Sequence, residues 1–269
     1  MKPKLLFALA ALCLFFYDGL AQSSKVVEVP VQAVEGMAVG SPAESLEEVR
    51  NRAINEAKVE ALKQVGVAEH LAAYADFFKS EEAGNYEEIF TSDILTSMQG
   101  AVKSVEVVKE DKYFTEEGTL VVKVQIDGTV VRYNSSPDPA FHAEVDGLKM
   151  FYENNAPLKF RVKTTKKAWM QAFLLSESEA FLLFPNEYEP FFQMSAEQWY
   201  DYPTTYIDYL LETDEGSEMH RLIIVLLKEK VSYQGPVNYK AILDWIFTLP
   251  PDIRCVDTHA FSVVNAGGH

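Results

Sequence analysis

Residues 222–227 read LIIVLL, six apolar side chains in a row with no polar residue between them. A strand with one face to water alternates, so a strand that does not alternate must be covered on both faces. The run is too short to cross a bilayer as a helix, which takes about 20 apolar residues. It therefore calls for a sheet with packing on two sides. A second run, FLLF at 181–184, makes the same demand and stops at Pro185. Proline has no N–H for the ladder, and Asn186 suits the turn that follows. Tyr188, Phe191 and Phe192 then come next in order to fold back over the strand end. Two covers are at hand: a helix over 238–249, or the N-terminal half docked on the sheet.

That helix has clear local signals. Asn238 serves as N-cap, Tyr239, Ile242, Leu243 and Ile246 form an apolar stripe, and Pro250 and Pro251 stop it. The rest of the second half is read as short strands at 141–145, 158–164, 169–176, 180–184, 221–228 and 257–264. Turn residues separate them at 154–155, 166–167, 177–178 and 215–216. Several short strands with turns between them predict a β-sandwich-like domain.

The first half differs. Residues 26–39 alternate loosely and read as one long strand, with Pro30 marking an edge or a bulge. The stretch Ser41, Pro42, Ala43, Glu44 has the order of a capping box with proline at the first helical position. After it, Leu46, Val49, Ala53, Ile54, Ala57, Ala61, Leu62 and Val65 recur at helical spacing, and Gly66 marks the end. A second helix is expected over 86–98, closed by Gly100. Strands at 102–109 and 119–132 then form a hairpin around Glu117 and Gly118. The expected fold class is α+β: a small antiparallel sheet with two helices over 22–133, a linker at 134–139, and a β-sandwich-like domain with one helix over 140–269. Asn134, Ser135, Ser136, Pro137 and Pro139 define the linker.

The first 21 residues carry Lys2 and Lys4, an apolar run from Leu5 to Phe16, and Gly19 and Ala21 before a polar stretch. That order reads as a secretory signal cut after Ala21. Cys13 sits behind Leu12 inside the apolar run, where a lipid-attachment cysteine would follow a small residue. The expectation is an exported protein, periplasmic or extracellular, that is not lipid-anchored and has no membrane span. With 24 Lys and Arg against 40 Asp and Glu, the chain has a net charge of −16. Such a surface repels nucleic acid and anionic lipid. Past residue 21 a single cysteine, Cys255, remains, so stability has to come from an apolar core without an internal disulfide.

The Leu-Leu-Phe-Pro-Asn strand at 182–186, followed closely by Tyr188, resembles the signature of a bacterial exported domain family of unknown function. Its other features match in order: Phe141 opening the domain, the basic strand Leu158, Lys159, Phe160, Arg161, Val162, the aromatic-led strand from Trp169, and the acidic turn Glu215-Gly216 before an apolar strand. The match covers about residues 138 to 264. It implies a reusable binding or accessory module carried behind varied partner domains. Residues 26–132 are similar to the N-terminal domain of flagellar assembly protein T and related exported lipoproteins, through a Gly-containing strand, an Ala-rich helix from Arg52 to Leu62, and a closing hairpin. This chain lacks the lipid-carrying cysteine of those lipoproteins. Neither resemblance implies catalytic residues.

Candidates for chemistry are few. Cys255 and His259 share a strand, and four residues along a strand is about 13 Å, too far for proton transfer. His70, His142, His220, His259 and His269 lack metal-ligand spacing. Glu212, Asp214, Glu215 and Glu218 gather around Gly216 without the order of an EF-hand; a weak calcium site and a solvated turn both remain open there. A phosphate-cradling glycine loop and a Gly-x-Ser-x-Gly elbow are absent, so no cofactor is expected. The stretch WYDYPTTYIDY places Trp199, Tyr200, Tyr202, Tyr206 and Tyr209 within eleven residues. Rigid rings beside carboxylates suit contact with a partner protein or stacking on a glycan, and rings buried in a sandwich loop are the other reading of the stretch. The sequence thus points to a non-catalytic accessory or assembly protein of the bacterial envelope with a protein partner. A glycan-binding module and an enzyme of unknown class are the alternatives.

Overall fold

The computed structural model describes residues 26–83, 91–176, 179–214 and 216–265. The expected signal at 1–21, residues 86–90 of the expected second helix, the turn at 177–178, Glu215 and His269 lie outside the described residues. The described chain is sheet-rich, with four helices and several antiparallel sheets.

Strand β1 (Val26–Val39) is followed by α1 (Leu46–Gln64), α2 (Leu71–Ala83), α3 (Ser92–Ser97), β2 (Gly100–Phe114) and β3 (Leu120–Tyr133). The three strands order β1-β3-β2 and pair antiparallel. Both readings of Pro30 hold together, because β1 is an edge strand and its register slips between Val31 and Val34. Ala33 takes a positive φ of 51° at the slip, and its N–H donates to Asp127 Oδ1 at 2.7 Å. Gly36 lets α1 lie directly on β1. A Cβ there would fall 2.1 Å from the Ala53 carbonyl oxygen, and the small residues Ala53, Ala57 and Ala61 complete the seam.

Two expectations need correction here. The capping box is Ser45 with Glu48, four residues later than expected. The segment SPAESLEE holds two Ser-x-x-Glu matches in tandem, and the second leads straight into the buried stripe from Val49. The first closes only a turn, with the Ser41 N–H donating to Glu44 Oε2 at 2.6 Å. The helices also differ: α2 was not anticipated, and the expected helix at 86–98 is α3, six residues long, over its described part. Tyr74, Phe77 and Phe78 bury one face of α2 at helical spacing.

The second half runs β4 (Ala143–Asp146), β5 (Phe151–Glu153), β6 (Ala156–Leu158), β7 (Phe160–Thr164), β8 (Ala168–Leu175), β9 (Ala180–Phe184), β10 (Gln193–Met194), β11 (Tyr200–Tyr202), β12 (Tyr209–Leu211), β13 (Ser217–Leu227), α4 (Tyr239–Thr248) and β14 (Arg254–Val264). The main sheet orders β10-β8-β13-β14-β5, with β9 also on β8; smaller sheets order β11-β7-β4 and β12-β6. The expected strand at 158–164 is split at Lys159 between β6 and β7, which belong to different small sheets. Asn238 caps α4 as expected, its side chain accepting the Ala241 N–H at 2.9 Å.

The run LIIVLL serves two cores. Ile223, Val225 and Leu227 join α4 and the buried residues of α1 and α2. Leu222, Ile224 and Leu226 join Phe160, Val162, Met170, Tyr202 and Leu211. Both proposed covers, α4 and the N-terminal half, therefore lie over one face. The run FLLF behaves otherwise. Leu182 packs toward the first core and Leu183 and Phe184 toward the second, but Phe181 is 44% exposed. The two-sided cover expected of FLLF fails at Phe181, on a strand that pairs with β8 alone.

Arg254 ties the two halves at the first core. It is buried without a carboxylate partner in the hydrogen-bond network around it. Its guanidinium donates to the carbonyls of Ile246 and Leu249 at the end of α4, and to Met98 (2.5 Å) and Thr96 (3.3 Å) at the end of α3. Carbonyls at helix ends carry partial negative charge, which is what a buried cation needs. Burial still pulls the Arg254 pKa down to about 10.

Candidate functional site

The turn after FLLF is structural. Asn186 Oδ1 accepts the N–H groups of Tyr188 (2.8 Å) and Glu189 (3.0 Å), and its Nδ2 donates to the Leu183 carbonyl at 2.6 Å. Glu189 is fully buried and accepts from the Thr204 N–H and from Thr204 Oγ1 (2.8 Å), so it ties this turn to the loop after β11. Phe191 packs on Trp169 and Phe192 on Phe184, with ring centroids 4.9 and 5.7 Å apart. Tyr188 departs from expectation: it stands 61% exposed instead of folding back.

The five aromatic residues at 199–209 do not form one surface. Tyr202 is buried in the second core and stacks on Phe160 at 5.4 Å. Tyr200 is half-buried beside Phe192, its hydroxyl accepting the Ser195 N–H at 2.9 Å. Trp199 carries Arg161 and Lys163 over its ring at 4.7 and 5.1 Å, so cations already occupy it. Tyr206 is fully exposed, and Tyr209 donates its hydroxyl to the Leu183 carbonyl at 2.8 Å. Tyr200 and Tyr202 share the inward face of β11, whereas Trp199 precedes that strand and Tyr206 lies between β11 and β12, a placement that linear spacing hides.

The titratable pairs are poorly placed for catalysis. Cys255 lies in the second core, and burial pushes its thiol up to about 11. His259 Nε2 is 3.3 Å from Asp257 Oδ2, and Ser92 Oγ donates to Asp257 Oδ1 at 2.9 Å. Burial raises the Asp257 pKa, but these partners more than offset it and the carboxylate stays ionised. The serine hydroxyl thus goes to the carboxylate, so the order hydroxyl-imidazole-carboxylate that activates a nucleophile is not formed. His70 meets Ser97 Oγ at 2.8 Å, and His142 is exposed. Among the described residues, no group of three or more His, Cys, Asp or Glu side chains could hold a metal ion.

What does gather is an open cleft of about 960 Å3 between β9 and β12. One wall carries Glu179, Phe181, Leu182, Glu187 and Tyr188; the other carries Asp208, Leu210, Glu212 and Asp214. Phe181, Tyr188 and Leu210 are 44, 61 and 52% exposed. Tyr209 bridges the walls through Leu183 and Asn186. Deeper in, Glu218 sits 3.3 Å from His220 Nε2, and His220 is 3% exposed. Burial raises the Glu218 pKa, yet hydrogen bonds from Ser176 and Thr213 and the neighbouring His220 bring it below the usual value. No lysine or arginine is among the described residues that line the cleft.

Of the residues marked in the sequence, Asn186, Tyr188, Tyr209, Glu212, Asp214, Glu218 and His220 meet here, and Trp199, Tyr200, Tyr202 and Tyr206 do not. Phe181, Leu210, Glu179, Glu187 and Asp208 were missed. The usable signal was the density of acids on both flanks of FLLF and before the turn at 215–216. No protein-family model matches this chain, and comparison with curated proteins finds no match.

Proposed function

We propose that this chain is a non-catalytic exported protein of the bacterial envelope that acts by binding another protein, with the β9–β12 cleft as its contact surface. The observation that carries this reading is the cleft itself: apolar side chains exposed in a concave, uniformly acidic frame. Exposed apolar area grouped and rimmed by polar residues is characteristic of interaction sites. The N-terminal apolar segment read as a secretory signal supports export, and the resemblance of residues 138 to 264 supports an accessory module. We also read the second half as sandwich-like, its small sheets facing the main sheet across the second core. In that arrangement the cleft opens where the two layers part.

The test is photo-cross-linking in producing cells, with the reactive residue placed at Leu210, at Phe181, or at Met150, which is 75% exposed and does not line the cleft. The expected result is a reproducible partner captured from Leu210 and Phe181 and not from Met150. The same captured set from all three positions would rule the cleft out.

A glycan-binding reading has one observation in its favour. Tyr206 stands fully exposed at a second cleft of about 610 Å3, with Asp201, Thr205 and Arg161 nearby. It rests on that single ring, because Arg161 and Lys163 already lie over the ring of Trp199. Retention on immobilised glycans that Tyr206→Ala abolishes would favour it over the protein contact.

A further inference from the structure

We propose that the cleft takes an extended, basic peptide segment as an added strand on the β9 edge; the inference rests on the reading of this cleft as a protein-contact surface. Three observations meet there. The first is backbone. The Ser176 N–H donates to the Glu179 carbonyl at 2.9 Å, which fixes the phase of the β8–β9 ladder. Groups alternate sides along an antiparallel strand, so the N–H and C=O of Ala180 and Leu182 turn away from β8. Leu182 lines the cleft on that side. On the opposite wall the Asn155 N–H reaches the Leu211 carbonyl, and Leu210 stands across from Pro157, which has no N–H. Leu210 therefore also turns its backbone groups away from its paired neighbour, β6. Two strand edges flank one open slot.

The second observation is charge. Glu179, Glu187, Asp208, Glu212, Asp214 and Glu218 line the slot. Asp208 is shared with Lys159 at 3.3 Å and Glu218 with His220, which leaves the outer wall negative. The third is His220. It is buried at the slot wall, and its Nδ1 has no hydrogen-bond partner. With Nε2 facing the Glu218 carboxylate, Nδ1 is the ring nitrogen left without a partner. An unmet buried nitrogen beside an ionised carboxylate leaves this wall of the slot short of a hydrogen-bond partner. Strand addition supplies main-chain hydrogen bonds, and alternate side chains then read the two sides of the slot. Apolar positions would meet Phe181 and Leu210, and basic ones the acids.

The experiment uses the full chain with labelled ten-residue peptides: alternating Lys-Val, alternating Glu-Val, and alternating Lys-Ser. Anisotropy titrations are run alongside amide hydrogen exchange. The expected result is saturable binding of Lys-Val alone, weakened at least tenfold by Glu212→Lys with Asp214→Lys, and at least tenfold slower exchange at Ala180 and Leu182 in the complex. Equal binding of Lys-Ser would reduce the effect to bulk charge and overturn the proposal. So would Lys-Val binding that leaves exchange at β9 unchanged. If Leu210 cross-links a specific partner in cells while no peptide binds, strand addition is wrong and the contact reading stands. Failure of both experiments removes both.

Discussion

Strands β13 and β9 carry the same kind of sequence and meet opposite ends. LIIVLL in β13 has a neighbour on each side, β8 and β14, and sends alternate residues into two separate cores. FLLF in β9 has one neighbour and leaves Phe181 open to solvent. An unbroken apolar run therefore states that both faces are apolar, and does not state that both faces are covered. In β13 the second face is spent on holding the molecule together. In β9 it is left partly exposed beside an acidic wall, the surface we propose for a partner.

That contrast can be broken by substitution. Ile224 is fully buried, and Ile224→Ala should cost about 2–5 kcal/mol from lost burial and the cavity left behind. Phe181→Ala should cost less than about 1 kcal/mol, as an exposed edge position. Urea unfolding with unchanged m-values is the measurement. Equal losses would mean that β9 is as deeply held as β13.

Next in size is the turn that ends β9. Removing the buried Glu189 carboxylate leaves the Thr204 N–H and hydroxyl without their acceptor. Glu189→Ala should therefore cost about 2–3 kcal/mol, while Glu187→Ala, two residues away on the cleft wall, should change stability by less than about 0.5 kcal/mol. The same unfolding curves separate the two, and a neutral Glu189→Ala would detach the turn from the fold.

The dryness of the core beneath β13 can be read from Cys255. Its thiol ionises near 9.0 when free and at about 11 when folded. Because the folded value is raised, the thiol's contribution to stability is fully present below pH 9 and is lost as pH rises from 9 to 11. The full loss is about 2–3 kcal/mol. Cys255→Ala should lack that alkaline decline in a plot of unfolding midpoint against pH. Identical profiles would show that the thiol is wetter than its packing indicates.

Phe181→Ser should likewise change stability by no more than about 1 kcal/mol. It should nonetheless reduce capture from a cross-linker at Leu210, which sharpens the division between a strand that builds the fold and one that serves it. Full capture with Phe181→Ser would remove that ring from the contact.

Local signals in the sequence read well. The bounds of β1 and β9, the Asn238 cap of α4 and the break at Gly66 follow from turn and capping chemistry within a few residues of each. The capping box slipped because Ser41 and Ser45 offer the same motif in tandem. Helix α2 escaped because its buried face of Tyr74, Phe77 and Phe78 is a short stripe followed by charged residues in the sequence. The cleft was legible only in fragments. Its walls are brought together by strands that pair elsewhere, β9 with β8 and β12 with β6, so no spacing along the chain announces that residues 179–188 face 207–214. The aromatic stretch misled for the related reason that Tyr202 and Tyr206, four apart, lie on opposite sides of the surface.

The most direct test of the account is amide hydrogen exchange on the free protein, followed by mass spectrometry. An open β9 edge predicts fast exchange at Ala180 and Leu182, with Leu210 of β12 equally fast, while the amides of 222–227 stay protected near the global unfolding limit. Protection at Ala180 and Leu182 equal to that of 222–227 would contradict it, because the edge offered to a partner would already be paired within the chain.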